Sequence, residues 1–187
     1  MNVQMTSRMG DIMKYAREEA ARTGCPCMEP DHIMLGILRH SDNPVCGYIR
    51  SLNMSLQDMK EAVESTFQRG RSLDFSEFER IMPTKSTLSL LSASMFEAAR
   101  YGNGILDVQH CFLALLRSGN NCTAIYLNAC GIDYKSVEEA FRNLGILKVM
   151  TSGQTESSPV PAERKPGPVP GKSRVFNIVV RNDKLCS

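Results

Sequence analysis

Two stretches of the chain, residues 7–68 and 84–145, carry apolar residues at three- and four-residue spacing among good helix formers. In the first, Met9, Ile12, Met13, Ala16 and Ala20 recur with helical period. Gly24 is placed to stop that helix, because glycine accepts the left-handed conformation that closes a C-terminus. The loop Cys25-Pro26-Cys27-Met28-Glu29 leads to Pro30, a favoured first-turn residue. The helix it opens carries Ile33, Leu35 and Leu38. A third helix is predicted over roughly Pro44–Ser51. A fourth begins at Ser55, with Asp58 approximating a capping box. The second stretch repeats this order, with Asp133 as the N-cap of its last helix. Residues 69–83 join the two.

The repetition is literal. A shift of 78 residues aligns the stretches without a gap. Ile12 falls on Leu90, Glu19-Ala20-Ala21-Arg22 on Glu97-Ala98-Ala99-Arg100, and Gly24 on Gly102. His32 falls on His110, Leu35 on Leu113, Leu38-Arg39 on Leu116-Arg117, Ile49 on Leu127 and Ala62 on Ala140. A helical unit of this size leaves an apolar face that must be buried against something else. Two units packed about a pseudo-two-fold axis share one core and leave a groove between them, where binding would sit. The expected fold is therefore all-α: two pseudo-symmetric four-helix repeats, residues 5–68 and 84–146, forming one eight-helix domain over residues 1–148.

The remainder, 149–187, reads as a flexible tail. Residues 151–173 hold five prolines with several glycines and serines, a composition that resists helix and builds no core. After it comes the apolar run Val175-Phe176-Asn177-Ile178-Val179-Val180, a short strand or a docking peptide.

Charge changes the picture little. Residues 151–187 carry six Lys/Arg against three Asp/Glu, which leaves sixteen against seventeen for residues 1–150. The folded part is near neutral, without the dense basic patch of nucleic-acid binders. No run approaches eighteen apolar residues, so no membrane span is expected, and the N-terminus lacks a signal-peptide core. Seven cysteines in a chain read as cytoplasmic are expected to be reduced, mostly buried thiols.

The doubled pattern Glu-Ala-Ala-Arg, then Gly, then a His-led segment ending Leu-Arg resembles the N-terminal domain of Clp unfoldases. The carriers are Glu19–Arg22 with Asp31-His32-Ile33-Met34-Leu35-Gly36-Ile37-Leu38-Arg39, and Glu97–Arg100 with Gln109-His110-Cys111-Phe112-Leu113-Ala114-Leu115-Leu116-Arg117. The resemblance covers about residues 5–146. It implies a non-enzymatic domain that receives protein substrates or adaptors for an ATP-driven unfoldase or protease, with no cofactor and no metal. In the ClpC-like branch a Gly-Thr-Glu-His segment in each unit supplies glutamates that help bind phosphorylated arginine. Here the corresponding segments are Glu29-Pro30-Asp31-His32 and Asp107-Val108-Gln109-His110, with a shorter carboxylate and a neutral amide. The binding residues implied are Glu29, Asp31, His32, Gln109 and His110.

The sequence has no G-x-x-x-x-G-K-[ST] phosphate loop; Gly171-Lys172-Ser173 lacks the earlier glycine. A stand-alone accessory subunit docking on a Clp protease or ATPase ring through Val175–Val180, or a piece of a longer unfoldase, are the alternatives. Cys25-x-Cys27 near His32 lacks the paired spacing of a zinc site. His110 and Cys111 are adjacent on one helix and point about 100° apart, against a catalytic pair. Cys111 aligns with Ile33, which predicts a core position. Met1, Met5, Met9 and Met13 lie four apart and are expected to pack the first helix. Each histidine is expected to order the loop before its helix through a local hydrogen bond.

Overall fold

A computed structural model describes residues 4–67, 71–101 and 104–147. The prolines and the apolar run of residues 149–187 lie outside the described residues. The first unit contains α1 (Ser7–Thr23), β1 (Cys27–Met28), α2 (Pro30–Arg39), α3 (Pro44–Ser51) and α4 (Leu56–Glu64). The joint holds α5 (Phe75–Phe78) and β2 (Met82–Pro83). The second unit contains α6 (Lys85–Tyr101), α7 (Val108–Ser118), α8 (Cys122–Ala129) and α9 (Tyr134–Asn143). The eight expected helices are joined by one more, α5, because Asp74 closes a short turn at its start: its Oδ1 accepts from Glu77 N at 3.0 Å and from Ser76 Oγ at 2.8 Å.

Local chemistry sets the helix ends. Gly24 sits at φ 77° and its N–H donates to Ala20 O and Ala21 O, stopping α1. Asn43, Ser55, Asn121 and Asp133 each accept a backbone N–H with the side chain at an N-cap.

Two helices form the centre. Asp31 to Leu38 of α2 are all buried, as are His110 to Leu116 of α7. A helix covered on every side belongs in the interior. α1 packs on α2 and α6 on α7, while α3 and α8 cross to the other unit's side. One apolar cluster runs through both units, with Met9, Ile12, Ile33, Met59, Phe112, Leu113 and Phe141 fully buried. Met5, Met9 and Cys111 lie in that core as their spacing and alignment predict. The thiol of Cys111 is pushed up to about 12 by burial.

The α1–α2 crossing is unusually close. A Cβ on Gly36 would lie 2.6 Å from Ile12 O and 2.9 Å from Ala16 N, so backbone meets backbone there. Its counterpart in the second unit, Ala114, already carries a Cβ.

The cysteines only partly match the expectation. Cys25, Cys46, Cys111, Cys122 and Cys130 are free, but only Cys46 and Cys111 are buried, and Cys130 is exposed. Cys27 is disulfide-bonded, so the reduced state expected throughout fails at this position.

Candidate binding site

The acidic residues of the two segments that open the central helices, Glu29, Asp31 and Asp107, reach the seam between the units. Each unit lends its entry strand to the other. Met82 and Pro83 pair in parallel with Cys27 and Met28, and Thr84 N donates to Met28 O at 3.1 Å. In the equivalent exchange Met5 bridges Leu106, and Thr6 N donates to Leu106 O at 3.0 Å. The threonines then reach the acidic N-caps of the two central helices. Thr84 Oγ1 donates to Glu29 Oε2 at 3.2 Å, and Thr6 Oγ1 to Asp107 Oδ1 at 2.8 Å. Glu29 is thus a half-buried member of an inter-unit clasp.

Asp31 is 7% exposed, and its carboxylate spans the seam. It accepts from Cys122 N at 3.0 Å, Thr123 N at 2.9 Å and Thr123 Oγ1 at 2.7 Å. A carboxylate against the first N–H groups of α8 satisfies donors that the helix cannot, and favours the positive end of its dipole. The second unit lacks this bond for a visible reason. Asp31 aligns with Gln109, and Cys122 with Pro44, which has no N–H to give. Gln109 Oε1 is buried with no hydrogen-bond partner.

Both imidazoles hold the loops before their helices. Glu29 N donates to His32 Nδ1 at 2.9 Å, and Asp107 N to His110 Nδ1 at 3.1 Å. Nε2 therefore carries the proton of each neutral ring. His32 Nε2 lies 3.1 Å from Thr23 Oγ1, and Phe67 stacks on its ring at 4.2 Å. His110 Nε2 has no partner, since Tyr101 stands where Thr23 stands and Gly145 where Phe67 stands. Burial drives the His32 pKa down to about 4, and lowers that of His110.

The Glu-Ala-Ala-Arg segments tie three helices of each unit together. Glu19, 4% exposed, pairs with Arg22 at 2.6 Å and Arg39 at 3.4 Å, and Arg22 reaches Glu64 of α4 at 2.5 Å. In the second unit Glu97, 1% exposed, pairs with Arg117 at 2.9 Å, while Arg100 reaches Glu138 of α9 at 3.4 Å. Charge order is reversed on the outer helix. Lys60 and Glu64 in one unit become Glu138 and Arg142 in the other, and both pairs stay bonded, at 3.7 and 2.9 Å.

An open groove lies elsewhere. Beside α6 is a cavity of about 410 Å³, floored by Pro30, Leu90 and Ala93. Lys85, Ser86 and Ser89 of α6 complete its lining with Ser118 and Asn120 from the end of α7 and beyond. Along the same face of the helix, Phe96 is 75% exposed. Sequence reasoning missed these residues: a serine-rich helix face with one phenylalanine has no local signature.

A profile of the Clp repeat (R) N-terminal domain matches residues 4–130. The chain belongs to this family. The Clp domain is 26% identical over 155 residues to the negative regulator of genetic competence ClpC/MecB of Bacillus subtilis, covering 83% of this chain and 18% of that protein. It is 24% identical over 197 residues to chaperone protein ClpB of Oceanobacillus iheyensis, covering 95% of this chain and 24% of the relative. The chain thus spans less than a quarter of the length of either relative. The N-domain of ClpV from Vibrio cholerae superimposes with a TM-score of 0.64 at 16% identity, over 79% of this chain and 89% of that one. The Hsp104 N-terminal domain from Candida albicans gives 0.57 at 13% identity, over 76% and 92%. These likenesses show the fold: an all-α Clp N-domain built as two pseudo-symmetric units.

Proposed function

We propose that residues 1–148 form a non-enzymatic domain that binds protein substrates or adaptors in the cytoplasm for a Clp-type ATP-driven chaperone or protease, with residues 149–187 as its tether. The observation that carries this reading is a division of labour. The polar residues of the family signature are spent inside the fold, on capping, clasping and ion pairing, while one outer face of α6 stays open with an apolar floor and exposed serine hydroxyls. That is the form of a protein-binding surface rather than of a reaction centre. Glu29 and Gln109 are half-buried and sit where the seam meets the surface; Asp31, His32 and His110 act on binding by holding α2, α7 and α8 in place.

The test is a binding assay with the full chain immobilised. A reduced, carboxymethylated model protein and a purified Clp-type ATPase ring are offered separately. Saturable binding of the unfolded protein is the expected result. Binding of neither sinks the reading, and binding of the ring alone favours an accessory subunit.

A further inference from the structure

The two units differ on the outer faces of α1 and α6. On α1 the joint closes the face. Leu73 N donates to Ala21 O at 2.9 Å, Arg17 Nη2 to Glu79 O at 2.6 Å, and the Arg17 guanidinium lies 4.9 Å above the Phe78 ring. Glu18 on that face pairs with Arg39 at 2.7 Å. The aligned positions of α6 are different. Ala99, counterpart of the buried Ala21, is exposed, and Phe96 stands at the position of Glu18. A solvent-facing phenyl ring thus occupies a place where the other unit keeps an ion-paired carboxylate.

The groove beside it has a charge bias. Lys85 has no ion-pair partner among the described residues, and no carboxylate lines the cavity. The hydroxyls of Ser86 and Ser89 and the Asn120 amide offer donors and acceptors to a peptide backbone, while Pro30, Leu90 and Ala93 offer an apolar floor. Lys85 and Phe96 are eleven positions apart on one helix, so about 16 Å separates them along its axis. An extended chain covers that distance in about five residues.

We propose that the α6 groove binds an extended peptide segment carrying an acidic side chain at Lys85 and, about five residues away, an apolar side chain against Phe96. This deepens the protein-binding reading above and rests on it.

The experiment uses the full chain and two fluorescein-labelled octapeptides in a glycine–serine background. One carries Asp and Leu five positions apart, and the other has Lys in place of that Asp. Fluorescence anisotropy measures affinity, and amide shifts in NMR spectra locate the contact. The Asp peptide is expected to bind about ten-fold tighter than the Lys peptide, the size of a single charge-assisted contact. Shifts should centre on residues 85–96. Lys85→Glu should reverse the preference, and Phe96→Ser should weaken the Asp peptide several-fold; both side chains are exposed, and far-UV circular dichroism checks the fold of each variant. Equal affinities, no reversal in Lys85→Glu, or shifts confined to other helices overturn the proposal. If the unfolded model protein binds while the peptides fail, the groove assignment falls and the protein-binding reading stands. If nothing binds, both fall.

Discussion

At the scale of single residues, Asp31 shows how a side chain in a recognisable motif takes its role from what lies opposite. Its three hydrogen bonds all go to the start of α8, 91 and 92 positions away in sequence. Asp31→Ala leaves those donors buried without partners, and should lower unfolding free energy by about 2–4 kcal/mol in urea titrations. Gln109→Ala removes an oxygen that has no partner, so it should change stability by under about 1 kcal/mol. His32 gives a prediction in pH. Its folded pKa of about 4 lies below the ordinary value of 6.5. The unfolded chain therefore binds more protons between those values, and stability is lost as pH falls through that window. The full effect is about 3 kcal/mol, with His110 adding in the same direction. Urea midpoints at pH 7 and pH 5 measure it, and a His32→Gln variant should flatten the slope.

At the scale of elements, the two helix pairs that open the units are the same motif at different tolerances. Gly36→Ala pushes a methyl group into the backbone of α1, at Ile12 O and Ala16 N. It should destabilise by about 2 kcal/mol or more, although alanine is the better helix former. Ala114→Gly in the second unit should cost only about 1 kcal/mol, the ordinary helix penalty. The buried carboxylates of the Glu-Ala-Ala-Arg segments behave as pins between helices. Glu97→Gln keeps the shape but removes the charge facing Arg117, and should lower stability by about 1–2 kcal/mol. All three substitutions are checked by thermal denaturation.

At the scale of the whole molecule, the exchange of entry strands makes the two units interdependent. The Thr6–Asp107 and Thr84–Glu29 bonds, the Asp31 cap on α8 and the continuous core all cross the seam. Unfolding should therefore be one cooperative transition, with far-UV circular dichroism and tyrosine fluorescence changing together. A peptide of residues 1–68 alone should stay largely unfolded, because α2 is apolar on every side and needs the second unit to cover it.

The sequence by itself determined eight of the nine described helices, some of their caps, the doubling and the family. All of these rest on short-range rules that leave a trace in spacing: a helical period, a glycine at a stop, a serine or aspartate at a start, and identities 78 positions apart. Cys111 was legible as core because its counterpart is Ile33. The loop-ordering role of His32 and His110 was legible too; the roles of the acidic signature residues were not. The partner of Asp31 lies in the other unit, and whether its carboxylate faces a ligand or a helix end depends on how the units dock. The same holds for the groove. Lys85, Ser89 and Phe96 look like ordinary surface positions along the chain. Only the packed molecule shows that the joint covers Ala21 on α1 while its counterpart Ala99 on α6 stays exposed, because that difference lies between elements and not within either one.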